Sequence, residues 1–164
     1  MDTTGLKKFA QAARNLLIDQ ITSKLDVVVD PASPARRQYP KAMKGLDAGI
    51  ARDGKSQIIE QVAYTWFNRF TALRFMDANG YTAVGIVSPA EGQTRPEVLA
   101  EAMAGILPEG ASAGIIALLD GRTPSSDPQA EAYRLLLVHA CNQWHGPMPF
   151  LFEQIDDYTE LLMP

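Results

Sequence analysis

Apolar residues recur at steps of three and four through the first part of the chain. Leu6, Phe9, Ala10, Ala13, Leu17, Ile21, Leu25 and Val28 fall along one face at helical spacing. They predict an amphipathic helix over 6–28, with Thr3 or Thr4 as its cap. Asp30-Pro31 ends it, because a residue before proline is driven out of the helical region. Residues 33–53 carry a weaker pattern. Ser33-Pro34 is a good helix opening, but Pro40 removes a backbone donor two turns in and should kink or split the helix. Gly45 and Gly49 weaken it further, and Asp53-Gly54 stops it.

The strongest pattern lies at 55–79. Ile58, Ile59, Val62, Ala63, Trp66, Phe67, Phe70, Leu73 and Met76 form a stripe broad enough to pack against more than one neighbour. A central helix is expected here, closed by Gly80. Glycines and prolines punctuate 80–94, where 83–87 is a candidate short strand. Thr94-Arg95-Pro96-Glu97 fits a capping box ahead of a helix over about 95–105. A short helix is expected at 113–119. Ser126-Asp127-Pro128-Gln129 opens another that runs to Trp144 and stops at Gly146-Pro147, and 149–155 is a candidate short helix. Asp157-Tyr158-Thr159-Glu160 resembles a fresh capping box. The fold expected is mainly α: an irregular bundle of about five to seven helices around the one at 55–79, with at most one short strand near 83–87. Residues 1–164 read as a single helical domain with a basic, mobile arm over about 31–54. The apolar run after Asp157, with nothing obvious to pack on, suggests a chain cut from a longer protein.

Composition sharpens this only slightly. The 164 residues are 46% apolar and 21% charged, ordinary for a globular domain, and no apolar run is long enough for a membrane span. One cysteine and no signal-like start make a cytoplasmic protein the expectation. The net charge of −4 argues against nucleic acid, but its distribution is uneven. Residues 1–55 hold ten Lys and Arg against six Asp, while the rest hold five Arg against thirteen acids. Arg36, Arg37, Lys41 and Lys44 are therefore the candidate nucleic-acid contacts; a solvated surface with chance segregation is the plainer alternative.

Several ordered blocks carry a resemblance. They are 6–11 (Leu-Lys-Lys-Phe-Ala-Gln), 62–70 (Val-Ala-Tyr-Thr-Trp-Phe-Asn-Arg-Phe), 72–77 (Ala-Leu-Arg-Phe-Met-Asp), 85–94 (Gly-Ile-Val-Ser-Pro-Ala-Glu-Gly-Gln-Thr), 125–128 (Ser-Ser-Asp-Pro), 149–153 (Pro-Phe-Leu-Phe-Glu) and 155–162 (Ile-Asp-Asp-Tyr-Thr-Glu-Leu-Leu). In this order they resemble the beginning of the PglX family, the adenine-specific DNA methyltransferases of BREX phage-defence systems. Residues 31–53 and 105–118 depart from it. The resemblance implies a parent enzyme that uses S-adenosylmethionine to methylate adenine N6 in a host sequence and helps exclude phage. It also implies a helical domain ahead of the methyltransferase core, with that core, other BREX components and double-stranded DNA as candidate partners.

The chemistry of adenine methylation is not written in these residues. Asp127-Pro128-Gln129-Ala130 lacks the second proline and the aromatic of an Asp-Pro-Pro-aromatic site. Gly80, Gly85 and Gly92 lack the strand-turn-helix context of a cofactor loop. No catalytic, cofactor-binding or metal residue is assigned. His139, Cys141 and His145 offer too few convergent ligands for zinc, and Cys141 has no evident base. Asp156, Asp157 and Glu160 are either paired carboxylates or a helix start, and the capping pattern favours the latter. Arg69, Arg74 and Phe75 are the candidate contacts to the core domain or a partner; an internal Arg74–Asp77 pair is the alternative for Arg74. Three functions follow: a non-catalytic accessory domain of the methyltransferase; a module that docks BREX partners or a phage inhibitor and has no DNA role; and an unrelated small enzyme, for which no constellation speaks.

Overall fold

A computed structural model of the chain describes residues 3–153 and 157–164. Among these residues there are eight helices: α1 (Thr4–Val29), α2 (Ala35–Gln38), α3 (Pro40–Asp53), α4 (Lys55–Ala78), α5 (Glu97–Met103), α6 (Gly114–Leu119), α7 (Pro128–His145) and α8 (Tyr158–Leu161). The protein is mainly α, as the periodicity requires. No strand forms at 83–87. An isolated bridge between Pro89 and Pro96 is the extended pairing found among the described residues.

The chain divides into two compact units, Met1–Asn68 with Ile155–Pro164, and Arg69–Gln154. The first is built on the buried faces of three long helices. Ile21, Leu25 and Val28 of α1, Met43 and Leu46 of α3, and Ile58, Val62, Ala63 and Trp66 of α4 are all buried. Only the second half of the α1 stripe is used; Leu6, Phe9 and Leu16 are more than half exposed. Pro40 splits the second helix: Tyr39 leaves helical geometry, and Pro40 restarts the chain at the first position of α3, where its missing N–H costs nothing. The basic segment thus holds two helices, and α3 has a buried face. Gly49 of α3 brings the helix close to Ile58 of α4, since an added Cβ would sit 3.0 Å from Ile58 Cδ1.

The last residues belong to the same unit. Asp157 caps α8 by accepting the Thr159 N–H at 2.8 Å. The Trp66 indole donates to the Thr159 carbonyl at 3.0 Å, and the Tyr158 ring lies against Gly45. Leu161, Leu162 and Met163 are buried, so the run that lacked an obvious partner in the sequence does have a core to pack on.

The second unit gathers the end of α4 with α5, α6 and α7. Leu73, Met76, Val98, Leu99, Ile115, Leu118, Leu136, Leu137, Cys141 and Phe152 form its core. Asp127 caps α7 through the Ala130 N–H at 3.0 Å, with Pro128 in the first turn. The Thr94–Glu97 capping box does not form. Pro96 stands at the start of α5, and the Glu97 carboxylate instead takes the Gly85 N–H at 2.7 Å. Residues 149–153 are turns, not helix; 154–156 lie outside the described residues.

Candidate functional site

The four basic residues singled out near the break in α2 and α3 do not stand alike. Arg36 is turned inward along the surface. Its guanidinium forks onto Asp47 at 2.9 and 3.4 Å and donates to the Val29 carbonyl at 3.2 Å. It thereby closes the end of α1, and the hydrogen bond to Asp47 raises its pKa. Arg37, Lys41 and Lys44 are exposed. On α3, Lys41 and Lys44 occupy the face opposite Met43, Leu46 and Gly49, because burial of that stripe turns the intervening positions to solvent. The outward cationic surface is therefore narrower than the sequence suggests: Arg37, Lys41 and Lys44, with Asp47 at its border.

Arg69, Arg74 and Phe75 also separate. Arg69 is only 3% exposed and donates to the Glu153 carbonyl at 3.0 Å, tying α4 to the turn after α7. Arg74 is exposed, and its guanidinium meets the Ser88 hydroxyl at 2.7 Å. That hydroxyl in turn donates to the Asp77 carboxylate at 2.8 Å, so Arg74 and Asp77 are linked through Ser88 rather than directly. Phe75 is 60% exposed and leans on Tyr81, also exposed, with ring centroids 6.2 Å apart and planes at 54°. The pair stands outside the core rather than in it.

The role of Asp77, weighed in the sequence only as a partner for Arg74, is what sequence reasoning missed. Its carboxylate accepts from Thr82 Oγ1 and Ile86 N on one oxygen, and from Val87 N, Ser88 N and Ser88 Oγ on the other. Burial alone would raise its pKa; the hydrogen bonds from Ile86, Val87, Thr82 and Ser88 outweigh it and hold the carboxyl below its ordinary value. The loop after α4 is wound around a single anion. Tyr133 of α7 fastens it from the other side, donating to the Ile86 carbonyl at 3.0 Å. The sequence signal was Gly85 inside an apolar pentapeptide, which read as a strand; an added Cβ there would collide with the Ser88 carbonyl.

The candidate chemical groups stay apart. The His139 ring donates to the Glu109 carbonyl at 3.1 Å, and the His145 ring to the Phe152 carbonyl at 2.8 Å. Cys141 is buried, and burial pushes its thiol up to about 11 against the opposing charge of Arg69. A thiol so placed is a poor nucleophile at neutral pH. No group of three or more His, Cys, Asp or Glu suited to a metal occurs among the described residues. Asp157 is a cap, Glu160 follows within α8, and Asp156 lies outside the described residues.

No family model matches the sequence. The chain is 32% identical over 192 residues to the adenine-specific methyltransferase BrxX of Escherichia coli O9:H4 (strain HS), an alignment that takes in 100% of the chain and 15% of the relative. It is 30% identical over 197 residues to the adenine-specific methyltransferase PglX of Lacticaseibacillus casei (strain Zhang), covering 99% of the chain and 16% of that protein. This chain is homologous to a part of these methyltransferases. Both alignments are longer than the 164 residues of the chain, so the relatives carry additional residues within the matched region. No helix of the described residues is long and apolar enough to cross a membrane.

Proposed function

We propose that this chain is the leading, non-catalytic helical portion of an adenine-specific DNA methyltransferase of a BREX phage-defence system. The parent protein uses S-adenosylmethionine to methylate adenine N6; this portion supports its catalytic core, in the cytoplasm, and touches the DNA backbone through Arg37, Lys41 and Lys44. The observation that carries the reading is the match of the whole chain to 15–16% of two adenine-specific methyltransferases. The sequence itself holds no Asp-Pro-Pro-aromatic tetrapeptide that would do the chemistry. Arg36, already committed to Asp47, contributes to folding more than to DNA.

Phosphate contacts release counterions, so affinity for duplex DNA should fall by roughly one log unit per contact per decade of salt. We expect weak, sequence-indifferent binding whose salt slope drops by about two when Lys41 and Lys44 are both changed to Glu. Binding that ignores salt, or is unchanged in the double variant, would remove these residues from the interface. Deleting the segment from a full-length methyltransferase should abolish adenine methylation of host DNA; full methylation without it would sink the supporting role.

One observation favours a second reading, a protein-docking module that engages BREX components or a phage inhibitor and has no DNA role. The first half of α1 leaves Leu6, Phe9 and Leu16 exposed along one side, and apolar surface of this kind is typical of protein contacts. Absence of duplex binding even at low salt selects this reading over the first.

A further inference from the structure

Within the unit Arg69–Gln154 there is a cleft of about 290 Å³ between α5 and α7. Its apolar lining includes Ile86, Val98, Leu136 and Ala140, all buried. Both of its walls are fastened. The loop carrying Thr82 to Ile86 is held by Asp77 and by Tyr133. The turn carrying Leu107 to Glu109 is held to α7 by the His139 ring and the Gln143 amide, which share the Glu109 carbonyl at 3.1 Å each. A cleft whose walls are hydrogen-bonded in this way is formed before any ligand arrives, which is the common state of small-molecule sites.

Its carboxylates face no fixed cation, and Thr82, His139 and Gln143 complete the polar lining. Glu101 and Glu109 border it, Trp144 adds an aromatic face, and no Lys or Arg lines it. The Glu101 carboxylate is half-buried and has no hydrogen-bond or ion-pair partner among the described residues. An anion would meet the Glu101 carboxylate here, with the exposed Glu109 at the rim. A neutral apolar ligand would strip water from Glu101 and return no hydrogen bond, which is costly. A cation on an alkyl stem suits this lining: charge to Glu101, the Trp144 side chain on the same wall, and the stem on Val98, Leu136 and Ala140.

We propose that this cleft binds an alkyl guanidinium or alkyl ammonium group. The ligand is either the side chain of an arginine or lysine on another protein or a free amine of the same chemistry. The proposal stands on the cleft alone and does not depend on the methyltransferase reading.

The test is a titration of the 164-residue chain with butylguanidine and with its neutral isostere butylurea, read at the Trp144 indole resonance by NMR. Butylguanidine should give a saturable shift at millimolar concentration and butylurea none. Glu101→Gln should weaken butylguanidine by about fivefold or more while leaving the thermal midpoint unchanged, because the side chain makes no internal bond. Nα-acetylarginine methylamide separates the sources: binding as tight as butylguanidine identifies a protein side chain, and its exclusion identifies a free amine. Equal affinity for butylurea, no Trp144 shift at saturating ligand, or undiminished binding by Glu101→Gln would overturn the proposal.

Discussion

Asp77 shows how much one side chain can organise. Five hydrogen bonds converge on its two oxygens, three of them from successive backbone amides. Asn in its place keeps one acceptor oxygen and points an N–H₂ at donors. Because the site is partly open to water, the loss should be well below the sum of five charged bonds; about 2–3 kcal/mol is expected for Asp77→Asn at neutral pH. The lowered pKa sets the pH dependence. A carboxylate stabilised in the folded state contributes above its unfolded pKa of about 4 and loses that contribution as pH falls through the lower folded value. The stability gap between the native chain and Asp77→Asn should therefore be constant near neutrality and close in acid. Urea melts at several pH values measure it; a gap that stays open in acid would mean that the charge on Asp77 is not what holds the loop.

At the scale of elements, Gly49 marks where α3 comes closest to Ile58 of α4. An Ala there touches only the flexible end of Ile58, and its better helix propensity, worth about 1 kcal/mol, offsets the adjustment. Gly49→Ala should therefore be nearly neutral. A Leu has no such room between Ile58 and Tyr158 and should cost about 1–3 kcal/mol. A chemical melt of both variants decides it, and equal stability would show that α3 can ride outward freely. The same packing explains why Lys41 and Lys44 point outward: Met43 and Leu46 are committed to the core, so the helix has one orientation left. Arg36, on the far side of the proline break, was drawn instead to the end of α1 and to Asp47.

At the scale of the molecule, residues 157–164 matter out of proportion to their number. Leu161, Leu162 and Met163 are buried in the unit that contains Trp66, and Trp66 is hydrogen-bonded to Thr159. Side chains of this size contribute roughly 1.5–3 kcal/mol each on burial, which together rivals the whole stability of a small domain. Removing 157–164 should unfold that unit or lower its midpoint sharply, with Trp66 fluorescence shifting to longer wavelength. A native emission spectrum from the shortened chain would show that α8 is merely draped on the surface. The charge division visible in the sequence, basic to residue 55 and acidic after, does not coincide with the two units, because the acidic last residues return to the basic first one.

Helix positions, the break at Pro40, the Asp127 cap and the similarity to adenine-specific methyltransferases were all legible in the linear order of residues. They rest on local physics: a period near four, a missing proline N–H, a side chain reaching its own third neighbour, and blocks of shared sequence. Which polar groups meet was not legible. Glu97 had a local capping partner and took Gly85 instead; Asp77 had Arg74 three residues away and took a loop; the last apolar residues found a core more than ninety positions back in the chain. Those choices compare a near partner with a distant one in three dimensions. Only the folded backbone, which brings several buried donors to one acceptor at once, makes the distant partner win.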